Sequence, residues 1–321
     1  MEFLLTPTTD MIEWDSIVVN SPQGSIFSES RYLRSLNHQH TCFLVKTKNN
    51  DVLAGIVVME NAHSMHRAPF PFTPYQGIMF EKKICELPSY KRITMQFRIT
   101  EFIIENLIDK YANFNMALSP EFSDLRPFIW YNHHNSSGRN FNVRLRYTAH
   151  LDINNFNFND YIKNIRGVRR QEFKKSQATI KDSDDIDEFL NAYIQTFKRQ
   201  NINLDHKTID LVQKICRGSI SGGYGRLSKA SVNGEIASIY LFLHDHSSAY
   251  YLFAANNPDL RSTGASTHLM LNNIEYYSKM RINKIDFIGV NSPNRGDYKI
   301  SFNPRLIEYF EVELQIPNEL N

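Results

Sequence analysis

The sequence predicts a mixed α/β fold, and three observations carry that prediction. Between Ala249 and Lys299 the pattern runs from an apolar, aromatic-rich stretch through a glycine-bearing turn and a helical period to a second apolar stretch. Asn233-Gly234 separates two alternating runs, 224–232 and 235–244, and Asn-Gly at such a place is the strongest short signal for a hairpin. The first half repeats a strand, helix, strand succession, so both element types interleave along the whole chain.

Composition bounds the rest. A chain of 321 residues is expected to form one or two domains of about 150 residues. Its 42% hydrophobic content supplies a core, and 22% charged residues argue against wholesale disorder. A net charge of +2 makes no global demand for DNA or an anionic membrane, so any basic site is local. The start, Met1-Glu-Phe-Leu-Leu-Thr-Pro7, lacks the basic and long apolar regions of a signal peptide. No run approaches the roughly 18 apolar residues of a membrane span. Cys42, Cys85 and Cys216 are odd in number and far apart, which fits reduced thiols and a cytoplasmic protein.

Taken in order, residues 14–36 read as helix, turn and helix, broken at Ser21-Pro-Gln-Gly24, with Ser28 as a cap for the second helix. Apolar runs at 43–45 and 52–59 flank Asn49-Asn-Asp51 and form a hairpin. Prolines in 70–77 exclude a central strand there and give a shaped, aromatic loop containing Tyr75. Residues 90–111 read as a helix with Phe97, Phe102 or Ile103, Asn106 and Leu107 toward the core. Short strands are expected at 115–118 and 140–150. In the latter Phe141, Val143, Leu145 and Tyr147 form the buried face.

After an Asn-rich boundary at 154–160, residues 161–178 read as one basic helix. Lys163, Arg166, Arg170 and Lys174 share a stripe on it, either clamping a polyanionic substrate or pairing with the acidic run 182–188. A helix to about residue 200 follows, and then one over 211–217 that Gly218 ends. The 224–244 hairpin and a strand at 249–255 come next. The turn Arg261-Ser262-Thr263-Gly264-Ala265-Ser266 opens a helix to about Met280, with Leu269, Leu271, Ile274 and Tyr277 inward. A strand at 284–288, a loop at 289–299 and a last strand at 305–314 complete the chain.

A glycine-bearing turn at a helix start presents free N–H groups and the positive end of the helix dipole, which suits an anion, most often phosphate. Gly264 permits close backbone approach and Arg261 adds a charge-assisted contact. Strand, Arg-x-x-Gly-x-Gly/Ala and helix in this order resemble the acyl-CoA pyrophosphate loop of GNAT-type acyltransferases. Ser266 stands where Gly or Ala is usual. Trp14-Asp15, Ser21-Pro-x-Gly24, Thr73-Pro-Tyr75-x-Gly77 and Tyr298-Lys299 further resemble the FemAB-like transferases. That group's Phe-Gly appears here as Phe302-Asn303.

The resemblance, over roughly 14–310, implies two tandem GNAT-like halves. They would be 1–150, with 304–321 packing back on it, and 151–303 carrying the donor loop. It implies transfer of an acyl group from acyl-CoA to an amine of a cell-envelope or polysaccharide precursor, an amino sugar or a peptide amine, free or carrier-linked. An aminoacyl-tRNA donor and a non-catalytic binding module of the same fold are the alternatives, and a peripheral membrane contact stays open. Residues 261–266 would hold the donor, and Tyr75, Arg166, Arg170 and Lys299 the acceptor. Asp286, Tyr298 and Lys299 are the candidates for proton handling and charge. Asp286 reads equally as a strand-end residue that hydrogen-bonds the following loop. No metal is expected: His63, His66, His133-His134 and His244-Asp245-His246 lack zinc spacing.

Overall fold

The computed structural model describes residues 2–61, 64–65, 69–111, 113–135 and 138–315; His63 and His66 lie outside them. The chain divides into two compact units, Met1–Arg146 with Glu308–Asn321, and Tyr147–Ile307.

The first unit is built from β1 (Phe3–Thr8), α1 (Met11–Asn20), a 3-10 turn (Ile26–Ser28), α2 (Ser30–Leu36), β2 (His40–Thr47), β3 (Val52–Asn61), β4 (Ser64–Met65) and β5 (Met79–Phe80). It continues with α3 (Lys82–Cys85), α4 (Ser89–Tyr111), β6 (Asn115–Ala117), α5 (Arg126–Ile129) and the start of β7 (Asn140–Asp152). Strands β1, β2 and β3 form an antiparallel meander, with β5 on the outer edge of β3. Phe43, Ile56, Val58, Ile103, Leu107 and Phe114 lie in its core.

Three expectations are corrected in this unit. Ser28 belongs to the 3-10 turn and does not cap α2. The carboxylate of Asp15 takes that part, accepting from the Ser30 N–H at 2.7 Å and the Ser30 hydroxyl at 2.6 Å. The buried face of α4 is Ile99, Ile103, Ile104, Leu107, Ile108 and Tyr111; Asn106 instead bonds back to the Phe102 carbonyl at 2.8 Å. The isoleucines carry the i, i+4 spacing, while Phe97 packs on Trp130 outside that row. The alternation expected along β7 fails at Leu145 and Tyr147, which are 45% and 37% exposed. The strand then becomes buried on successive residues from Thr148 to Leu151, as a strand covered on both faces does.

The second unit contains the end of β7, α6 (Phe158–Asn164), α7 (Gly167–Lys175), β8 (Thr179–Ser183), α8 (Ile186–Lys198), α9 (His206–Ser221), β9 (Gly225–Val232), β10 (Glu235–His244) and β11 (Ser248–Asn256). A 3-10 turn (Pro258–Thr263), α10 (Ala265–Lys279), β12 (Lys284–Asp286), α11 (Pro293–Ile300) and the start of β13 (Arg305–Gln315) follow. The end of β13 returns to the first unit and pairs antiparallel with β6. Strands β8 to β11 are antiparallel in sequence order, whereas β11 and β12 are parallel. The Asn233-Gly234 turn has both residues at positive φ, 52° and 85°, as a two-residue hairpin requires. Leu269, Leu271, Ile274 and Tyr277 are all fully buried on α10.

Here too the sequence reading changes. The single basic helix is two, because Ile165 and Arg166 are extended (ψ 163° and 139°) and break it before Gly167. Helix α9 runs through Gly218 and ends at Gly222, and the short polar strand β8 carries no apolar alternation that would reveal it. The expected loop at 289–299 contains helix α11. Pro293 sits in its first turn, where a fixed φ and a missing N–H favour initiation. Gly296 gives this segment close packing, since a Cβ there would lie 2.6 Å from the Val290 carbonyl oxygen.

The register of α4 is testable. Ile103→Ala should cost about 2–5 kcal/mol of unfolding free energy, as a fully buried truncation does. Phe97→Ala, on the half-buried flank, should cost less; urea denaturation of the two variants compares them directly.

Candidate functional site

The site begins where two parallel strands part. β11 and β12 pair over three positions, Ser248↔Lys284 to Tyr250↔Asp286, and β12 then stops while β11 continues to Asn256. Among the described residues no strand pairs with that side of β11 beyond Tyr250. The chain leaves β12 through Ile288 and Gly289, both left-handed at φ 44° and 52°. A β-branched residue in that region costs on the order of 1–3 kcal/mol and persists only where neighbours hold it.

Two side chains hold Ile288. Asp286 accepts its N–H at 2.8 Å, and the Lys299 Nζ donates to its carbonyl at 2.6 Å. Asp286 is only 1% exposed and also accepts from the Thr148 hydroxyl and from His150 Nε2 at 3.2 Å. Burial alone would raise its pKa, but the neighbouring His150, the Thr148 hydroxyl and the Ile288 N–H outweigh it and hold the carboxyl below its usual range. Asp286 is thus a satisfied anchor of the strand end.

Lys299, on α11, lies 5.1 Å from the centre of the Tyr251 ring. Burial pushes its ammonium down to about 7, against the opposing pull of Asp286. Beside it two phenols gather on one serine and a third packs against them. The Tyr240 Oη lies 2.5 Å from the Ser266 Oγ, Tyr298 Oη lies 3.1 Å from the same atom, and the two phenols are 3.2 Å apart. Tyr251 packs edge-on to Tyr240 at 4.9 Å. Burial raises the pKa of Tyr240, Tyr251 and Tyr298 well above the ordinary phenol value, so all three keep their protons near neutrality. The structure therefore brings Asp286, Tyr298, Lys299 and Ser266 together around the end of β12 and the first turn of α10.

The other candidates lie apart. Arg261 and Ser262 are exposed, and Thr263 donates to the Leu260 carbonyl at 2.6 Å. Ala265 is buried, and Gly264 has φ 75°. A Cβ on Gly264 would sit 2.3 Å from the Glu172 carbonyl oxygen, so the approach it permits is that of α7. Arg166 is exposed and paired with Asp297 at 2.8 Å, while Arg170 donates to the carbonyls of Ile165, at 3.1 Å, and Lys163 at the end of α6. The acidic run is engaged elsewhere, Asp182 by Arg226 and Glu188 by Lys229. Tyr75 belongs to the first unit, 3% exposed and edge-on to Phe27 and Tyr309.

Sequence reasoning missed Tyr240, Tyr251, Thr148, His150, Arg169 and Glu172. Only Thr148 and His150 carried a signal, two residues apart and so on one face of a strand. Among the described residues no group of three or more His, Cys, Asp or Glu could hold a metal ion. None of their helices is long and apolar enough to cross a membrane.

The depressed Lys299 fixes a pH dependence. In the unfolded chain lysine binds its proton up to about 10.4, so between the folded value of about 7 and that limit the unfolded state holds more protons and stability rises with pH. Lys299→Met should flatten this rise between pH ~7 and ~9.5. Denaturant midpoints for both proteins across that range check it, and parallel curves would contradict the depressed value.

Residues 159–299 match the family model of the acetyltransferase (GNAT) domain. By structure the chain is similar to FemX (TM-score 0.65, 12% identity, 97% of each chain covered). It is also similar to a tandem GNAT protein from the clavulanic acid biosynthesis pathway (0.57, 9%, 100% of each chain). A third similar structure is the C-terminal domain of a putative lysylphosphatidylglycerol synthetase from Agrobacterium fabrum (0.53, 10%, 96% of this chain and 93% of that one). No curated protein matches by sequence. At such identities the structures establish the fold, and the domain match adds the chemistry. Residues 159–299 of this chain thus match an acetyltransferase (GNAT) domain, and the chain as a whole has the fold of FemX and of a tandem GNAT protein.

Proposed function

We propose that this protein is a cytoplasmic N-acyltransferase that forms an amide on an amine of a cell-envelope precursor, an amino sugar or a peptide amine. The observation that carries the reading is Lys299, a buried amine that donates to the Ile288 carbonyl at 2.6 Å beside the parted strands and a cluster of phenols, where burial pushes its pKa down to about 7. A base poised near the working pH is the most effective proton acceptor. The acceptor amine attacks the carbonyl carbon of an activated acyl ester and a C–N bond forms. The neutral Lys299 takes the amine proton. The bond from the carbonyl carbon to the leaving sulfur or oxygen breaks, the leaving group takes a proton from Tyr298, and the phenol is restored by the proton that Lys299 accepted. Asp286 acts through Ile288, fixing the turn on which Lys299 rests. Arg166, exposed at the N-cap of α7, keeps the reading of a contact to an acceptor phosphate. Arg170, Tyr75 and the loop 261–266 have the weaker geometric support described above.

Two donors fit this chemistry. The GNAT domain supports acyl-CoA, and the similar tandem GNAT protein is described in a form without AcCoA, which points to that ligand for it. The FemAB-like resemblance supports an aminoacyl-tRNA, and the crowding of Gly264 by α7 favours it. For the acceptor, the name of the Agrobacterium protein refers to an aminoacylated lipid, in line with an envelope role.

The test is amide formation on amino sugars and peptide amines with labelled acyl-CoA or aminoacyl-tRNA across pH. A rate limb near pH 7 is expected in the wild type. Lys299→Met should lose that limb, with kcat lower by about 10²–10⁴-fold. A folded protein that consumes neither donor would leave the binding-module reading in place. Unchanged kcat in Lys299→Met would remove it as the base.

A further inference from the structure

We propose that helix α7, through Glu172, closes the anion seat at the first turn of α10, so that this acyltransferase rejects donors that place a diphosphate there. The inference rests on the acyltransferase reading and concerns which donor the second unit accepts.

Three observations converge on Glu172. Its main chain fills the space that Gly264 leaves: a Cβ on Gly264 would lie 2.3, 2.8 and 3.0 Å from the Glu172 O, C and Cα. The residue that would let a ligand approach the turn instead lets α7 approach it. Its carboxylate accepts from the Thr267 hydroxyl at 2.5 Å, at the third position of α10, and pairs with Arg169 at 2.8 Å. Arg169 closes the ring by donating to the Thr267 Oγ1 at 3.1 Å. One carboxylate, paired with Arg169, is therefore already held beside the positive end of the α10 dipole and takes up part of the attraction that a second anion would find there. Further along the two helices, Phe173 packs edge-on against His268 at 5.1 Å, so the contact extends past one side chain. The next polar group of the turn, Ser266, is taken by Tyr240 and Tyr298.

A moving α7 would give the opposite specificity, and binding separates the two. Calorimetric titration with CoA and acetyl-CoA should show binding weaker than a Kd of ~1 mM in the wild type. Glu172→Gln keeps the shape, removes the charge and loosens the ring, and should tighten CoA binding at least about tenfold. Gly264→Ala should lower the melting temperature because of its contact with α7. Wild-type binding in the micromolar range that Glu172→Gln leaves unchanged or weakens would overturn the proposal. So would a Gly264→Ala protein of wild-type stability that loses CoA binding. Failure of the acyltransferase reading shows separately, as no donor of either kind consumed.

Discussion

The buried carboxylate of Asp286 is the constraint on which the site depends. Three donors converge on it from two segments: Thr148 and His150 on β7, and the Ile288 main chain beyond β12. Removing any of them would leave a charge in the core with fewer partners, and such loss costs several times what a surface bond contributes. Because the Asp286 oxygens are satisfied this way, the group has no spare geometry for taking a proton from substrate. Its effect is mechanical and electrostatic. It ends the parallel pairing of β11 and β12, keeps Ile288 left-handed and sets the field felt by Lys299.

Lys299 closes that arrangement from the other side. Its bond to the Ile288 carbonyl ties α11 to the strand end, and its burial is what lowers its affinity for a proton. The same few residues thus combine an unfavourable backbone with an unfavourable ammonium. Functional sites commonly concentrate such costs.

Much of this was legible in the sequence, for reasons that can be named. Asn233-Gly234 and the apolar runs around it carry a turn requirement that no other tertiary context is needed to read. The α10 face was legible because Leu269, Ile274 and Tyr277 repeat with the helical period. The pairing of Asp286 with Thr148 was not, since 138 residues separate them and each looks like an ordinary strand residue. Gly264 teaches the same lesson in reverse. Local pattern identified a position that needs no Cβ, but what comes close to it is a helix nearly a hundred residues earlier. Helix α11 was hidden by Pro293 and Gly296, which read as loop residues until their places at a helix start and at a tight contact are seen.

The central claim is that burial beside the Ile288 turn lowers the proton affinity of Lys299 to about 7, against the opposing pull of Asp286. Carbon-13 NMR of side-chain-labelled lysines, with the Lys299 signal assigned by its loss in Lys299→Met, measures this directly. The account predicts a Lys299 Cε resonance that titrates near 7 while the exposed lysines titrate near their usual ~10.4. A Lys299 resonance that titrates with the exposed lysines would contradict it.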